Sequence, residues 1–212
     1  MNGDLRIAVP KGRLFDAALA LLARAELYRE GDGRESRKLI FGGGVNMPEY
    51  IALKPVDIPV YVEAGAIDAG IVGTDILREL GSDVYEPVDL RIGKCTLVLA
   101  APAGVTLSYD QGLRVATKYP RTAAQFFRSR NAHVHIVRLD GSVEIAPLLG
   151  LAEAIVDLVE TGRTLRENGM ITVEEIAPVT AKLIVNRASM KVKSRNLGTC
   201  IQRLDAVVYA NG

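Results

Sequence analysis

Short apolar runs alternate with helical-period segments along nearly the whole chain. Leu5–Pro10 is apolar at every position but Arg6, as a strand buried on both faces requires. Leu14, Phe15, Ala18, Leu19, Leu22 and Ala25 then recur at the spacing of an amphipathic helix. Gly31–Arg37 and Gly42–Gly44 read as loops. Asp57–Ile67 predicts a helix, Ala69–Gly73 a buried strand, and Thr74–Leu80 a short helix stopped by Gly81. Strands are expected at Val84–Leu90 and Cys95–Ala101, and Pro102–Gly112 reads as a connection. A second series follows: a strand at Leu113–Thr117, a helix at Arg121–Arg130, an alternating strand at His133–Leu139, and a buried strand at Ala154–Val159. A helix from about Thr164, a strand at Lys182–Asn186 and a closing amphipathic helix complete it. That last helix carries Leu197, Cys200, Ile201, Leu204, Val207 and Val208, with Gly198 its weak point.

Strands alternating with helices predict an α/β fold. No repeat, low-complexity tract or linker divides the chain. Two lobes joined by sheet-like crossovers near residues 92–96 and 175–182 fit better than two separate beads, with a ligand cleft between the lobes. The expected division is 1–94 plus 178–212 for the first lobe and 95–177 for the second.

Composition narrows the function. The 212 residues carry 26 Lys and Arg against 25 Asp and Glu, a formal charge of +1. That balance excludes a globally basic nucleic-acid binder, because no net field exists to neutralise many phosphates. Zero Trp and 5% aromatics leave no platform for stacking bases. No apolar stretch approaches the roughly 20 residues that span a bilayer. Asp4, Arg6 and Lys11 surround the first apolar run, so the N-terminus does not read as a signal peptide. Cys95 and Cys200 lack CxxC spacing, which points to buried, reduced thiols and a cytoplasmic setting.

The strongest chemical signal is the run from Ala154 into Thr161, Gly162, Arg163 and Thr164. A strand leading through such a turn into a helix directs several backbone N–H groups toward one point, where an anion binds. Gly162 allows close approach of a phosphate, and the hydroxyls of Thr161 and Thr164 can donate to its oxygens. Thr164 can alternatively cap the helix. Asp157, near the strand's end, is placed to accept from ribose hydroxyls or to influence a metal. A TGxT turn by itself is more often a helix cap than a ligand loop. Neither GxxxxGK[ST] nor a GxGxxG after a strand occurs, which disfavours a P-loop or Rossmann site.

The segment Glu144–Leu165, EIAPLLGLAEAIVDLVETGRTL, resembles the long signature of the ATP phosphoribosyltransferase family at every fixed position. The resemblance extends through Pro10–Arg13 (PKGR), Ser36–Leu39 (SRKL), Asp57–Pro59 (DIP), Gly70–Asp75 (GIVGTD), Ala116–Pro120 (ATKYP) and Gly141–Glu144 (GSVE). It implies two lobes of periplasmic-binding type II architecture and the first step of histidine biosynthesis. In that step N1 of the adenine of ATP attacks C1 of phosphoribosyl pyrophosphate (PRPP) with Mg²⁺ present, giving phosphoribosyl-ATP and pyrophosphate. The commoner type I phosphoribosyltransferases place an acidic pair before the phosphate loop. Here Val156 precedes Asp157, so that pair is broken.

The resemblance also implies roles for residues. Thr161, Gly162, Arg163 and Thr164 would cradle the 5′-phosphate, while Asp157 and Glu144 would face the ribose hydroxyls. Lys11, Arg13, Arg37 and Lys54 would stabilise the substrate phosphates and the departing pyrophosphate. Lys54 stands where relatives more often carry Arg, which keeps the charge but loses the bidentate fork; a surface lysine on an edge strand is an equal reading. Gly73, Thr74, Asp75, Asp89, Lys118 and Tyr119 would lie near ATP, with Tyr119 either on the purine face or in the core. The chain's length resembles the short form of the family, which lacks the C-terminal regulatory domain. That form implies a homodimer assembling with a regulatory subunit similar to histidyl-tRNA synthetase, so that histidine inhibition requires the partner.

His133 and His135 share one strand face, but no third metal ligand accompanies them. The main rival is a non-catalytic small-molecule binding module of periplasmic-binding type, suggested by Gly65–Gly73. Such a module needs no phosphate loop. A phosphoribosyltransferase using orotate or a free purine is the second rival, and the missing acidic pair counts against it.

Overall fold

The computed structural model describes residues 5–29, 38–44, 47–109 and 112–210. In chain order the elements are β1 (Arg6–Pro10), α1 (Phe15–Arg24), β2 (Ile40–Gly44), β3 (Met47–Leu53), a single 3₁₀ turn at Pro55–Asp57, α2 (Ile58–Glu63), β4 (Ala69–Gly73), α3 (Thr74–Leu80) and β5 (Tyr85–Asp89). They continue with β6 (Cys95–Pro102), β7 (Leu113–Thr117), α4 (Pro120–Arg128), β8 (Val134–Arg138), α5 (Ile145–Leu148), β9 (Ala154–Val159), α6 (Arg163–Glu167), β10 (Met170–Val179), β11 (Ala181–Val185), α7 (Arg187–Val192) and α8 (Ser194–Tyr209). The chain divides into two compact units. One runs up to Gly93 and resumes at Thr180; the other is Lys94–Val179.

The first unit is a six-stranded sheet in the order β2-β3-β1-β4-β11-β5. β1 runs parallel to both β3 and β4, while β11 is antiparallel to β4 and β5. Alternate residues of the central strands feed two cores. Ile7, Val9, Ile71 and Leu183 pack with Leu19, Leu22, Leu197 and Leu204 of α1 and α8. On the other face Ala8, Val72 and Ile184 meet Ile58, Val62 and Leu77 of α2 and α3. Burial on both faces explains why β1 and β4 read as continuous apolar runs.

The second unit repeats the plan with five strands, β10-β6-β9-β7-β8. Leu97, Leu99, Val115 and Val156 pack with Ala123, Phe126 and Phe127 of α4. Val98, Ala100, Ala116 and Ile155 pack with Ala146 of α5 and Leu165 of α6.

Two expectations are corrected, and two strands and two helices are added. Gly42–Gly44 is the end of edge strand β2, not a loop; three glycines supply no apolar side chain, so no alternation is visible. β3 was not expected at all, although Pro48, Tyr50 and Ala52 alternate inward, because Pro and Ala mask the pattern. The helix expected over Asp57–Ile67 is the 3₁₀ turn plus the six residues of α2. β10 went unseen because register shifts between Thr172 and Glu174 and between Glu175 and Ala177 break the two-residue period on an edge strand. Helices α5 and α7 were also not expected; α7 starts at Asn186, whose Oδ1 accepts from the Ser189 N–H at 2.8 Å.

Asp68, only 5% exposed, ties these pieces together. Its carboxylate accepts from the Arg6 N–H at 2.9 Å, the Ser189 hydroxyl at 2.8 Å and Lys193 Nζ at 2.8 Å. Burial alone pushes this carboxyl up, but the hydrogen bonds from Lys193, Arg6 and Ser189 outweigh it and hold the group below its ordinary 3.8. A depressed carboxyl contributes stability that is full above the unfolded value and lost as pH falls through the folded one. Asp68→Ala should cost about 2–4 kcal/mol in urea unfolding at neutral pH. The gap to wild type should stay constant down to about pH 5 and close below that. A loss under about 1 kcal/mol, or a gap that widens in acid, contradicts this account.

Candidate active site

Parallel neighbours β3, β1 and β4 end along one edge of the first sheet. The residues that follow them are Lys54, then Lys11 to Arg13, then Thr74 and Asp75. The Lys11 N–H donates to the Leu53 carbonyl at 2.8 Å, which seats Lys11 beside Lys54, and both lysines are exposed. The Arg13 guanidinium donates to the Gly93 carbonyl at 3.4 Å through Nη2 and at 3.5 Å through Nη1. The carboxyl edge of an open α/β sheet is where such folds bind ligands, and three cations there concentrate positive potential. Arg37 lies outside the described residues.

β5 runs parallel to β4, each being antiparallel to β11, so Asp89 ends on the same edge. Its Oδ1 accepts from the Arg91 N–H at 2.9 Å and its Oδ2 from the Thr180 hydroxyl at 3.0 Å. Thr74 is 8% exposed and Asp75 7%. Gly73 is where a side chain has no room: a Cβ there would overlap Oδ1 of Asp75. The residue that links Thr74 to Asp89 is Thr180, which the sequence pattern did not single out. Its only signal is a position one residue before β11.

In the second unit β9 delivers the candidate phosphate loop. Asp157 is half-buried and pairs in register with Val98. Gly162 opens α6 at φ 71° and ψ 8°, a left-handed conformation that Gly adopts without the cost a Cβ brings. Thr161 and Thr164 are exposed. Thr164 is inside α6 and does not cap it; the hydroxyl of Thr161 instead accepts from the Arg163 N–H at 3.4 Å. With five residues, α6 supplies little dipole, so what the loop offers an anion is the first-turn N–H groups, which have no intrahelical acceptor. The Arg163 guanidinium is paired with Glu167 at 2.7 Å. Arg166, not singled out in the sequence, instead folds back over the loop, its Nη1 lying 3.0 Å from where a Cβ on Gly162 would sit. Glu144, half-buried, immediately precedes α5.

Lys118 is exposed, following β7. The Tyr119 ring is 4% exposed and packs with Leu97, Val115 and Phe127, so it presents no face to a purine. His133 lies outside β8 and, like His135, is exposed; no group of three His, Cys, Asp or Glu that could hold a metal occurs among the described residues. Cys200 is buried, and burial pushes its thiol up to about 12, whereas Cys95 is only half-buried.

Two α/β units, each a mixed sheet with helices on both faces, have the architecture of the periplasmic-binding type II fold. That fold recurs in the VFT2 domain of Bordetella pertussis BvgS (TM-score 0.58, 14% identity, covering 97% of this chain and 92% of that one). The family model described as HisG, ATP phosphoribosyltransferase, matches residues 54–206, and the chain belongs to that family. A relative described as ATP phosphoribosyltransferase, from Caldanaerobacter subterraneus subsp. tengcongensis, is 48% identical over 202 residues, covering 95% of this chain and 96% of its own. Among solved structures, the ATP phosphoribosyl transferase (HisG:HisZ) complex from Thermotoga maritima superposes with a TM-score of 0.85 at 32% identity, covering 98% and 99%. The protein is thus an enzyme of the first step of histidine biosynthesis. No helix among the described residues is long and apolar enough to cross a membrane.

Two glycines of β4 separate local from structural effects. Gly73→Ala forces the Asp75 carboxylate to shift and should lower turnover about tenfold or more, with an unfolding midpoint closer to wild type than that of Gly70→Ala. Gly70→Ala would put its Cβ 2.6 Å from Ile58 Cγ2 and 3.2 Å from Val62 Cγ2. It should destabilise by about 1–3 kcal/mol in thermal unfolding. Equal stability losses in the two variants contradict this distinction.

Proposed function

We propose that the Thr161–Thr164 loop binds the 5′-phosphate of PRPP and that the carboxyl edge of the first sheet handles the pyrophosphate and ATP. The observation that carries this reading is the left-handed Gly162, which starts α6 with first-turn N–H groups that have no intrahelical acceptor, the Arg163 N–H donating to the Thr161 hydroxyl. Thr161 and Thr164 add hydroxyl donors, and Arg166 supplies the nearby positive charge, with Arg163 held by Glu167. Asp157 and Glu144 accept from the ribose hydroxyls. The lobe boundaries in this reading are 1–94 with 178–212 and 95–177.

Displacement at C1 breaks the bond to pyrophosphate and forms one to N1 of adenine, so the nucleophile belongs to the substrate. The protein's part is to hold two polyanions in line and offset the charge that leaves. Lys11 and Lys54 do this as point charges, and Arg13 and Arg37 through their guanidinium groups. Gly73, Thr74, Asp75 and Lys118 position ATP. Asp89, with both carboxylate oxygens accepting protein hydrogen bonds, orients its neighbours. Mg²⁺ would be carried by the substrate phosphates, with no dedicated set of protein ligands. When bound, it offsets charge on the pyrophosphate. The assembly in this reading is a cytoplasmic homodimer with a histidyl-tRNA-synthetase-like regulatory subunit, in keeping with the HisG:HisZ complex from Thermotoga maritima. Histidine inhibition then requires that subunit.

PRPP, ATP and Mg²⁺ incubated with the chain, alone and with a candidate regulatory subunit, should give the ultraviolet change of N1-modified adenine. No product under either condition sinks the catalytic reading. Gly162→Asp should abolish PRPP binding by adding a carboxylate and straining a left-handed position; retained affinity would leave the loop a mere helix start. Arg166→Ala should weaken PRPP binding about tenfold, and Arg163→Ala by less than about threefold.

A further inference from the structure

We infer that Thr180 is a positioning residue for the nucleotide end of the site, acting through Thr74 and Asp89. This rests on the reading that the β4–α3 turn handles ATP.

Thr74 has two jobs that compete for its backbone. It is the first residue of α3 and also the last ladder partner of the strand returning through β11. Its N–H donates to the Thr180 carbonyl at 2.9 Å, continuing the β4–β11 pairing one step past Gly73 and Ala181. In a regular antiparallel ladder the Thr180 N–H would return to the carbonyl of Thr74. A helix-starting carbonyl faces along the helix toward the fourth residue on, so the Thr74 hydroxyl takes its place and accepts from the Thr180 N–H at 3.3 Å. The turn that opens α3 is therefore held by both backbone groups of Thr180.

What orients Thr180 is its own hydroxyl, which donates to Oδ2 of Asp89 at 3.0 Å. The Asp89 carboxylate is steadied in turn by the Arg91 N–H at 2.9 Å. Arg91 is one of the few non-glycine residues at positive φ, 54°, and its guanidinium lies 4.1 Å from the centre of the Tyr209 ring in α8. The Leu90 N–H donates to the Ala181 carbonyl at 2.9 Å and the Ala181 N–H to the Ile92 carbonyl at 3.0 Å, closing the loop against the same strand. Hydrogen bonds thus run from the end of β5 through Thr180 to the start of α3, across the ends of three neighbouring strands. Thr180 and Asp89 are only half-buried, so water can replace a lost partner. The hydroxyl is therefore placed to tune geometry at small cost to folding. A hydroxyl-free side chain of similar shape keeps the backbone bonds to Thr74 but loses the Asp89 contact.

The test uses the full chain under the assay conditions that give turnover. Thr180→Val keeps the backbone bonds and the β-branched shape but removes the donor to Asp89. It should raise KM for ATP about fivefold to tenfold, leave KM for PRPP within about twofold, and move Tm by no more than about 2 °C. Thr180→Ser restores the donor and should return KM for ATP to within about twofold of wild type. Gly73→Ala reports separately on whether the β4–α3 turn serves ATP. If it raises KM for ATP while Thr180→Val does not, the positioning role is wrong and the site reading stands. If neither raises it, the nucleotide reading falls and this inference with it. If Thr180→Val raises both KM values together and lowers Tm, the residue only holds the fold, and the inference is overturned.

Discussion

A chain that leaves a folded unit and comes back must be tied down where it returns. In the first unit that tie is the Asp68 carboxylate, which joins the start of β1 to Ser189 and Lys193 at the junction of α7 and α8. The Asn186 N–H adds a bond to the Asp68 carbonyl at 2.9 Å, and its side-chain amide donates to the Val62 carbonyl at 2.8 Å. The returning segment is no ornament. β11 fills the gap between β4 and β5, and α8 supplies Leu197, Cys200 and Leu204 to the core. A charge this buried is tolerable because each oxygen has donors.

At the opposite ends of the strands stand the candidate site residues of the first unit. Parallel pairing puts the ends of β3, β1 and β4 side by side, and the residues that follow carry the charge. A net charge of +1 gave no hint of this, because the positive potential is local. Arg6, Arg114 and Arg130 are spent on Glu49, Glu153 and Glu174, whereas Lys11 and Lys54 stand exposed beside one another. Lys54 offers a point charge without the directional fork of a guanidinium.

The alternation of buried strands and helices was legible because doubly buried strands are apolar throughout; β1, β4 and β9 stand where the pattern puts them. The loop at Gly162 was legible because threonines and glycine cluster after such a strand. Edge strands β2 and β10 were not, since glycines hide one and bulges shift the phase of the other. Thr180 and Arg166 escaped for another reason. Their significance comes from contacts, with Thr74 across 106 residues and with Gly162 after one helical turn, that no local pattern encodes. Tyr119 shows the reverse: an aromatic beside a ligand motif that serves the core.

The central claim is that the open amides after β9 receive the 5′-phosphate of PRPP. A crystal structure of the chain with PRPP tests it most directly. The phosphate should lie within hydrogen-bonding distance of the N–H groups of residues 162–165 and of the Thr161 and Thr164 hydroxyls, with the pyrophosphate pointing away from the loop. A 5′-phosphate seated instead beside Lys11 and Lys54, with no substrate oxygen at Gly162, would contradict it.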